Sequence, residues 1–234
     1  MADAGAAVIA NRRAALARLA AAEAERRRLA EVSEWDGAPQ DADAMMALLN
    51  GADQAVQRWP IPGMDELVPV LRQLRRPSGP ARNEPAALAI FQQARIDTEL
   101  LRERAIRATI ARSLDSPDGF RERMVAFWVD HFTVISRNSG NVLLSFLLVD
   151  EAIRANITGS FDAMLTATIL QPAMLIYLDQ AESFGESPNE NYARELMELF
   201  CLGEGNYSEK DVQELARCFT GWEIKQGRFR FNRF

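Results

Sequence analysis

The segment SPNENYARELMELFCLG, near the C-terminal end of the sequence, holds the densest group of side chains that could do chemistry. Its carboxylates Glu190, Glu195 and Glu198, with Asn189 and Arg194 beside them, could bind a hard cation or act as a general acid and base. Glu195, Glu190 and Arg194 are therefore candidate catalytic residues. Glu195 and Glu198 are the weaker candidates for a metal site.

His131 is the only histidine of the chain and lies in the aromatic segment FRERMVAFWVDHF. It could exchange protons with Asp130 or Glu195, or ligate a metal ion, and it is the fourth catalytic candidate. A single histidine cannot supply both histidines of an HExxH zinc site. We expect a buried core histidine with satisfied hydrogen bonds, because its neighbours on the predicted helix are large apolar residues.

The glutamate-rich segment also carries the signals of an ordinary amphipathic helix. Ser187 is predicted to cap this helix, with Pro188 at its first position and Glu190 completing a capping box. Gly203 is predicted to follow its C-terminal end. A structural role therefore competes with a catalytic one for the same residues.

The spacing of the charged residues on this helix predicts which of them form ion pairs. Glu190, Arg194 and Glu198 recur every four residues, which predicts a ladder of exposed ion pairs. Glu195 lies off that ladder, next to apolar residues. If it is buried, it needs a partner such as Arg217 or the histidine.

Composition excludes several classes of protein. The net charge of -6 gives no overall attraction to phosphate, so we expect no nucleic-acid partner. The longest apolar run, VLLSFLLV, is far short of the roughly 20 residues that cross a bilayer. Two cysteines make neither a disulfide scaffold nor a zinc site. Dinucleotide, phosphate-loop and nucleophile-elbow motifs are also missing, and no cofactor is predicted.

Helical patterns cover most of the chain. Pro85 is predicted to open a long helix that runs to about Leu114. Its predicted buried face holds Leu88, Phe91, Ile96, Leu100, Ile106 and Ile110. Ser116 is predicted to cap the next helix, with proline at the first position. Ser208 is predicted to cap another, with Asp211 at its third position and a short GEGNY loop before it, forming an antiparallel helical hairpin.

The last residues, WEIKQGRFRF, predict a β-hairpin with a two-residue QG turn. In that register Ile224 lies opposite Phe229 and Trp222 opposite Phe231, on one face. The chain stops three residues later, and a two-stranded ribbon alone is marginal in water. We therefore expect a truncated domain with an exposed apolar hairpin or frayed C-terminus, poor solubility and little activity by itself.

The sequence thus predicts a mainly α protein, an irregular multi-helix bundle with a short C-terminal β-hairpin. Residues 1–75 are predicted to form an N-terminal helical region, with a loosely attached subdomain as an alternative. Residues 76–85, rich in proline, are the linker candidate, and residues 86–234 are the predicted helical core.

Four ordered motifs resemble those of the bacterial family catalogued as domain of unknown function 1800. They are FRERMVAFWVDHFTV, QPAMLIYLDQAES, NENYARELMELFCLG and YSEKDVQELARCFTGW. The resemblance runs from about Arg121 to Phe234 and is weak upstream of Leu114. It implies a bacterial origin and a helical fold, but no known reaction. Many members have histidine where this sequence has Phe200, and members continue beyond residue 234, so any role of that histidine is absent here.

Two functions of different classes remain open from the sequence. The first is a partner-binding or structural helical module with no activity of its own, whose partner is the missing C-terminal part of the same domain or another protein. The second is a fragment of a carboxylate- and histidine-dependent hydrolase or metal-assisted transferase. The N-terminus lacks a secretory signal, so we expect a cytoplasmic protein, with the periplasm or envelope as the alternative if the true N-terminus differs.

Overall fold

A computed structural model describes residues 41–74, 76–136, 139–183, 185 and 187–232 of the chain. Helices make up most of these residues. In chain order the helices of these residues are α1 (Ala42–Asn50), α2 (Gln54–Arg58), α3 (Met64–Gln73), α4 (Pro85–Asp115), α5 (Gly119–His131), α6 (Ser139–Leu148), α7 (Phe161–Ile169), α8 (Pro172–Tyr177), α9 (Glu190–Glu195) and α10 (Glu209–Cys218). The strands are β1 (Trp222–Lys225) and β2 (Arg228–Phe231). The predicted mainly α fold with a C-terminal hairpin is confirmed.

Two of the helices do not end where their α-helical hydrogen bonding ends. Helix α6 continues into a π-helical turn, Val149–Ile153, and a short 3-10 turn, Arg154–Asn156. Helix α9 continues into a second π-helical turn, Leu196–Cys201. Because a π turn holds more residues than an α turn, side chains beyond it point in directions that a 3.6-residue period does not predict.

Both Ser-Pro helix starts were predicted two residues too early. In Ser116-Pro117-Asp118 the N-cap is Asp118, whose carboxylate accepts from the Arg121 backbone N–H at 2.9 Å. In Ser187-Pro188-Asn189 the N-cap is Asn189, whose side-chain oxygen accepts from the Tyr192 backbone N–H at 3.3 Å. The predicted caps Ser116 and Ser187 are therefore wrong, and both prolines lie outside the helices. In each case an equally good cap residue, Asp118 or Asn189, follows the proline and takes the cap position.

Helix α4 buries a different face from the predicted one. Its buried residues are Ala94, Thr98, Ala105, Ala108 and Arg112. Three of these five residues are alanines, and a small side chain lets a neighbouring element approach the helix closely. The predicted face is wrong for Ile96, Leu100 and Ile110, which lie on the opposite side and are exposed. The other three predicted residues, Leu88, Phe91 and Ile106, are half-buried.

The core lies around α6, its π turn and α8. Leu148, Ile153 and Met174 are fully buried there, and Leu49 of α1 and Leu67 of α3 belong to the same cluster. All of the described residues belong to one compact unit, Gln40–Phe234. Within the predicted N-terminal helical region, residues 41–74 contain α1, α2 and α3, and residues 1–40 lie outside the described residues. The division of the chain at 76–85 stays a prediction.

The β-hairpin has the predicted register and turn. Trp222 pairs with Phe231 and Ile224 with Phe229, and the two turn residues have positive φ angles of 54° and 75°. Trp222, Ile224 and Phe229 pack against the helical core, whereas Phe231 is about half exposed. The expectation of an exposed hairpin is therefore wrong for three of its four apolar residues.

Candidate functional site

The glutamate-rich helix predicted as a site uses its charges to hold a helical hairpin. Arg194 donates two hydrogen bonds to Glu209 of α10, at 2.9 and 2.6 Å. Glu198 accepts from the Tyr207 hydroxyl at 2.8 Å. The predicted ladder within one helix is wrong, since Arg194 pairs across the hairpin and Glu198 lies in the π turn. The bond to Glu209 raises the pKa of Arg194, and the bond from Arg194 lowers the pKa of Glu209.

The remaining carboxylates of the segment do not converge on a common point. Glu190 is exposed and Glu195 is half-buried, while Arg217, the partner expected for Glu195, pairs with Glu214 at 2.9 Å. Among the described residues, no three side chains of His, Cys, Asp or Glu are grouped so that they could hold a metal ion. The catalytic and metal roles of these residues stay predictions.

His131 lies at the C-terminal end of α5 and is exposed, so the predicted core histidine is wrong. Phe132, the next residue, is buried and takes the core position instead. The histidine ring lies 4.7 Å from the Phe132 ring, 5.6 Å from that of Trp128 and 5.8 Å from that of Phe200, measured between centroids. His131 therefore covers an aromatic cluster from the solvent side.

The buried charged residues of the described ranges lie elsewhere, and sequence reasoning missed them: they are Arg112, Asp118, Arg121 and Arg154. Arg112 of α4 donates to both carboxylate oxygens of Asp150, at 2.6 and 3.0 Å, and its Nε donates to the Trp59 carbonyl at 2.9 Å. The Arg112 side chain is almost fully buried. One bidentate pair therefore joins α4 to the π turn after α6.

Arg154 forms the second part of this buried arginine network. It donates to both carboxylate oxygens of Glu122 on α5 and, at 3.0 Å, to Asp53, the N-cap of α2. Burial alone would lower the pKa of Arg154, but the bonds to Glu122 and Asp53 raise it above its ordinary value. One sequence signal could have indicated this network. Two residues of opposite charge, Asp150 and Arg154, lie four residues apart directly after the longest apolar run.

The outward face of α4 is the other unexplained feature of the described residues. Six of its residues follow one another at intervals of 4, 3, 4, 3 and 4: Ile96, Leu100, Glu103, Arg107, Ile110 and Leu114. We call this face the α4 seam. Its four aliphatic residues are 53–59% exposed. At its centre Arg107 and Glu103 form an ion pair at 2.6 Å, and both side chains are exposed.

The spacing of the α4 seam is that of the a and d positions of a heptad repeat, which covers one face of a helix with two residues in every two turns. The residues that α4 buries lie on the opposite face, so the seam is not used in packing this helix onto the core. A helix with apolar residues on both faces has one face available for a further contact.

Comparison with known proteins identifies the family. A model of the family described as "protein of unknown function (DUF1800)" matches residues 2–234, so the chain belongs to that family. The match begins far upstream of Arg121, where the resemblance was first expected to start. No curated protein and no solved structure shows a significant match. No helix in the described ranges is long and apolar enough to cross a membrane.

Proposed function

We propose that this member of the DUF1800 family is a helical association module whose partner is a second copy of the same chain. The observation that carries the proposal is the α4 seam, where exposed aliphatic residues follow heptad spacing across the 19 residues from Ile96 to Leu114. At about 1.5 Å per residue the seam is roughly 27 Å long. Aliphatic side chains at this spacing gain free energy when another helix covers them.

The seam is symmetric about its midpoint, Ala105. Ile96 and Leu114 lie nine residues to either side of it, and Leu100 and Ile110 lie five residues to either side. Two copies paired antiparallel about a two-fold axis at this midpoint would therefore bring aliphatic residues level with aliphatic residues. A surface that complements itself in this way is what an isologous dimer requires.

The central charges of the seam favour the same arrangement. Glu103 and Arg107 lie two residues to either side of the midpoint, so antiparallel pairing brings Glu103 of one copy level with Arg107 of the other. Parallel pairing would instead bring each charge level with its own kind, which is unfavourable. This central layer supports an antiparallel dimer over a parallel one.

The experiment is sedimentation velocity over a wide range of protein concentration, with two variants matched in residue type, helix and exposure. Ile110 and Ile90 are each 53% exposed, but Ile110 lies on the seam and Ile90 does not. We expect wild type and Ile90→Glu to dimerise as concentration rises, and Ile110→Glu to stay monomeric. Equal self-association of the two variants, or a monomeric wild type at every concentration, would contradict the proposal.

A charge exchange tests the direction of pairing. Glu103→Arg and Arg107→Glu should each weaken the dimer, because each puts like charges level across the axis. The double variant should restore it. Each single change also removes the ion pair within α4, so thermal unfolding of the monomer at low concentration serves as the control. A double variant that dimerises no better than the single ones would argue against the antiparallel arrangement.

The catalytic alternative stays a prediction, as does the cytoplasmic location. Its candidate residues are divided between two elements, with His131 at the end of α5 and the carboxylates on the hairpin of α9 and α10. Arg194 already bonds to Glu209 of α10, and Glu198 of the π turn bonds to Tyr207 in the loop before α10. These contacts support a structural role for the segment.

A further inference from the structure

The outer edge of strand β2 is open within the described ranges. The sheet found there has two strands, so β2 has β1 on one side and no strand on the other. Asn232 donates to the Gly221 carbonyl at 2.8 Å, and ladder bonds of an antiparallel pair involve every second residue. Phe229 and Phe231 therefore direct their N–H and C=O groups away from β1. Neither makes a backbone hydrogen bond to a described residue outside the hairpin.

A cavity of about 310 Å³ lies along this edge. Gly227, Arg228 and Phe229 form one of its walls, whereas the described residues of β1 do not line it. Neighbouring residues of a strand point to opposite faces, so a cavity that touches both Arg228 and Phe229 lies beside the strand. The opposite wall is largely apolar and holds Met64, Leu144, Leu147, Leu170 and Pro172. A strand added at this edge would cover that wall.

The apolar face of the hairpin determines one half of the side chains that an added strand needs. Phe229 and Phe231 lie on this face, and Phe231 is 48% exposed. A residue directly opposite either phenylalanine would point to the same face. Glu151 also lines the cavity, so a carboxylate placed there would meet a like charge. Apolar side chains therefore fit the positions opposite the two phenylalanines.

The other face of the hairpin is positively charged. Lys225, Arg228 and Arg230 are exposed on it. Glu223 is the one carboxylate of the paired residues, and it lies 3.6 Å from Arg230. Opposite charges on neighbouring strands attract, so acidic side chains fit the remaining positions of an added strand. The edge therefore suits a segment in which acidic and apolar residues alternate.

The same charges disfavour a second copy of this chain at the edge. Antiparallel pairing of two β2 strands through Phe229 and Phe231 would place Arg230 of one copy directly opposite Arg230 of the other. Like charges at such a position destabilise the pairing. The edge therefore indicates a different protein segment.

We propose that β2 binds an extended acidic segment of a partner protein as a third, antiparallel strand, in which apolar residues alternate with Asp or Glu. Hydrogen bonds to the backbone of Phe229 and Phe231 supply the binding, and the alternating side chains supply the choice of partner. Antiparallel pairing is the more stable of the two directions per residue. None of the residues used here belongs to the α4 seam, so either proposal can fail without the other.

Fluorescence anisotropy with the full chain and a labelled peptide, Glu-Val-Glu-Val-Glu-Val-Glu, tests the pairing. In the antiparallel arrangement the valines lie opposite Phe229 and Phe231, so valine N–H groups face β2 and glutamate N–H groups face solvent. We expect N-methylation of the valines to weaken binding about tenfold or more, because hydrogen bonds are lost. N-methylation of the glutamates should leave binding unchanged. No binding of the parent peptide, or equal effects of the two methylations, would overturn the proposal.

Two pairs of variants locate the bound peptide. Phe231→Pro removes the outward N–H as well as the side chain, whereas Phe231→Ala removes the side chain alone, so the proline variant should bind about fivefold more weakly than the alanine variant. Arg230→Glu should weaken binding, and Arg123→Glu, an equal change of charge on the exposed side of α5, should not. Thermal unfolding shows that each variant is folded. Equal binding by the two Phe231 variants, or equal losses at Arg230 and Arg123, would mean that the peptide does not lie along β2.

Discussion

The buried arginine network and the hairpin of α9 and α10 use the same chemical groups in opposite ways. In the network, Arg112 and Arg154 have nearly all of their side-chain surface covered and hold four helical elements together. In the hairpin, Arg194 makes an equally close bidentate contact with Glu209, but both side chains reach solvent. Contact distances alone therefore do not show which ion pair contributes more to the free energy of unfolding.

The difference follows from solvation. A carboxylate at the surface that loses its arginine regains water, so the loss is small. A buried carboxylate that loses its arginine has nothing to replace it, and the uncompensated charge destabilises the fold. The network thus makes the relative placement of α2, α5 and the π turn after α6 depend on a few side chains.

Removing Arg154 should give the largest effect. Arg154→Ala leaves Glu122 and Asp53 without their guanidinium partner, and we expect a loss of about 3–5 kcal/mol in the free energy of unfolding. Urea denaturation followed by circular dichroism measures it. Arg123→Ala, on the exposed side of α5, is the control and should change the free energy of unfolding by no more than about 0.5 kcal/mol. If the two variants lose similar free energies of unfolding, the prediction that a buried arginine contributes more to stability than an exposed one is wrong.

The helix cap at Asn189 should give an intermediate effect. Its side chain accepts from the Tyr192 N–H and donates to the Leu178 carbonyl at 2.7 Å, so it ties α9 to α8 as well as capping it. We expect Asn189→Ala to cost about 1–2 kcal/mol of unfolding free energy. Ser187→Ala should cost less than about 0.5 kcal/mol. A larger loss at Ser187, by the same urea titration, would restore the serine as the cap.

Arg194→Ala should give the smallest effect, and it should depend on salt and pH. Because Arg194 lowers the pKa of Glu209, the pair stabilises the fold above the ordinary pKa of glutamate. That contribution is lost as the pH falls through the lower pKa of Glu209 in the folded state. The difference in unfolding free energy between wild type and variant should therefore shrink at low pH and in high salt. A difference that is constant across both series would mean that the pair is not electrostatic.

Local signals in the sequence predicted the hairpin and one capping box correctly, although the Ser116 and Ser187 caps, which are equally local, were wrong. The hairpin register followed from alternating residues and a turn that needs positive φ, and the structure has it. The capping box of Ser208 and Asp211 is confirmed, because the two residues bond to each other's backbone within one turn. Each of these features depends on residues close together in the chain.

Features that depend on distant residues could not be predicted in the same way. Arg154 and Asp53 are 101 residues apart, and no periodicity links them. The buried face of α4 was misassigned because burial was expected of the largest residues, whereas close packing selected Ala94, Ala105 and Ala108. A large apolar side chain gains free energy when another surface covers it, but its size does not show which surface that is.

The turn of the β-hairpin has a practical consequence for engineering. A tight QG turn at the end of a ribbon would ordinarily be a good place to insert a peptide tag or a fluorescent reporter. Here a Cβ atom at Gly227 would lie 2.5 Å from the Met64 side chain and 3.0 Å from that of Val68 on α3, so an insertion would lift the ribbon from the helix. Gly205, in the loop before α10, has no neighbouring atom within 4 Å of such a Cβ, and it is the better position for a reporter.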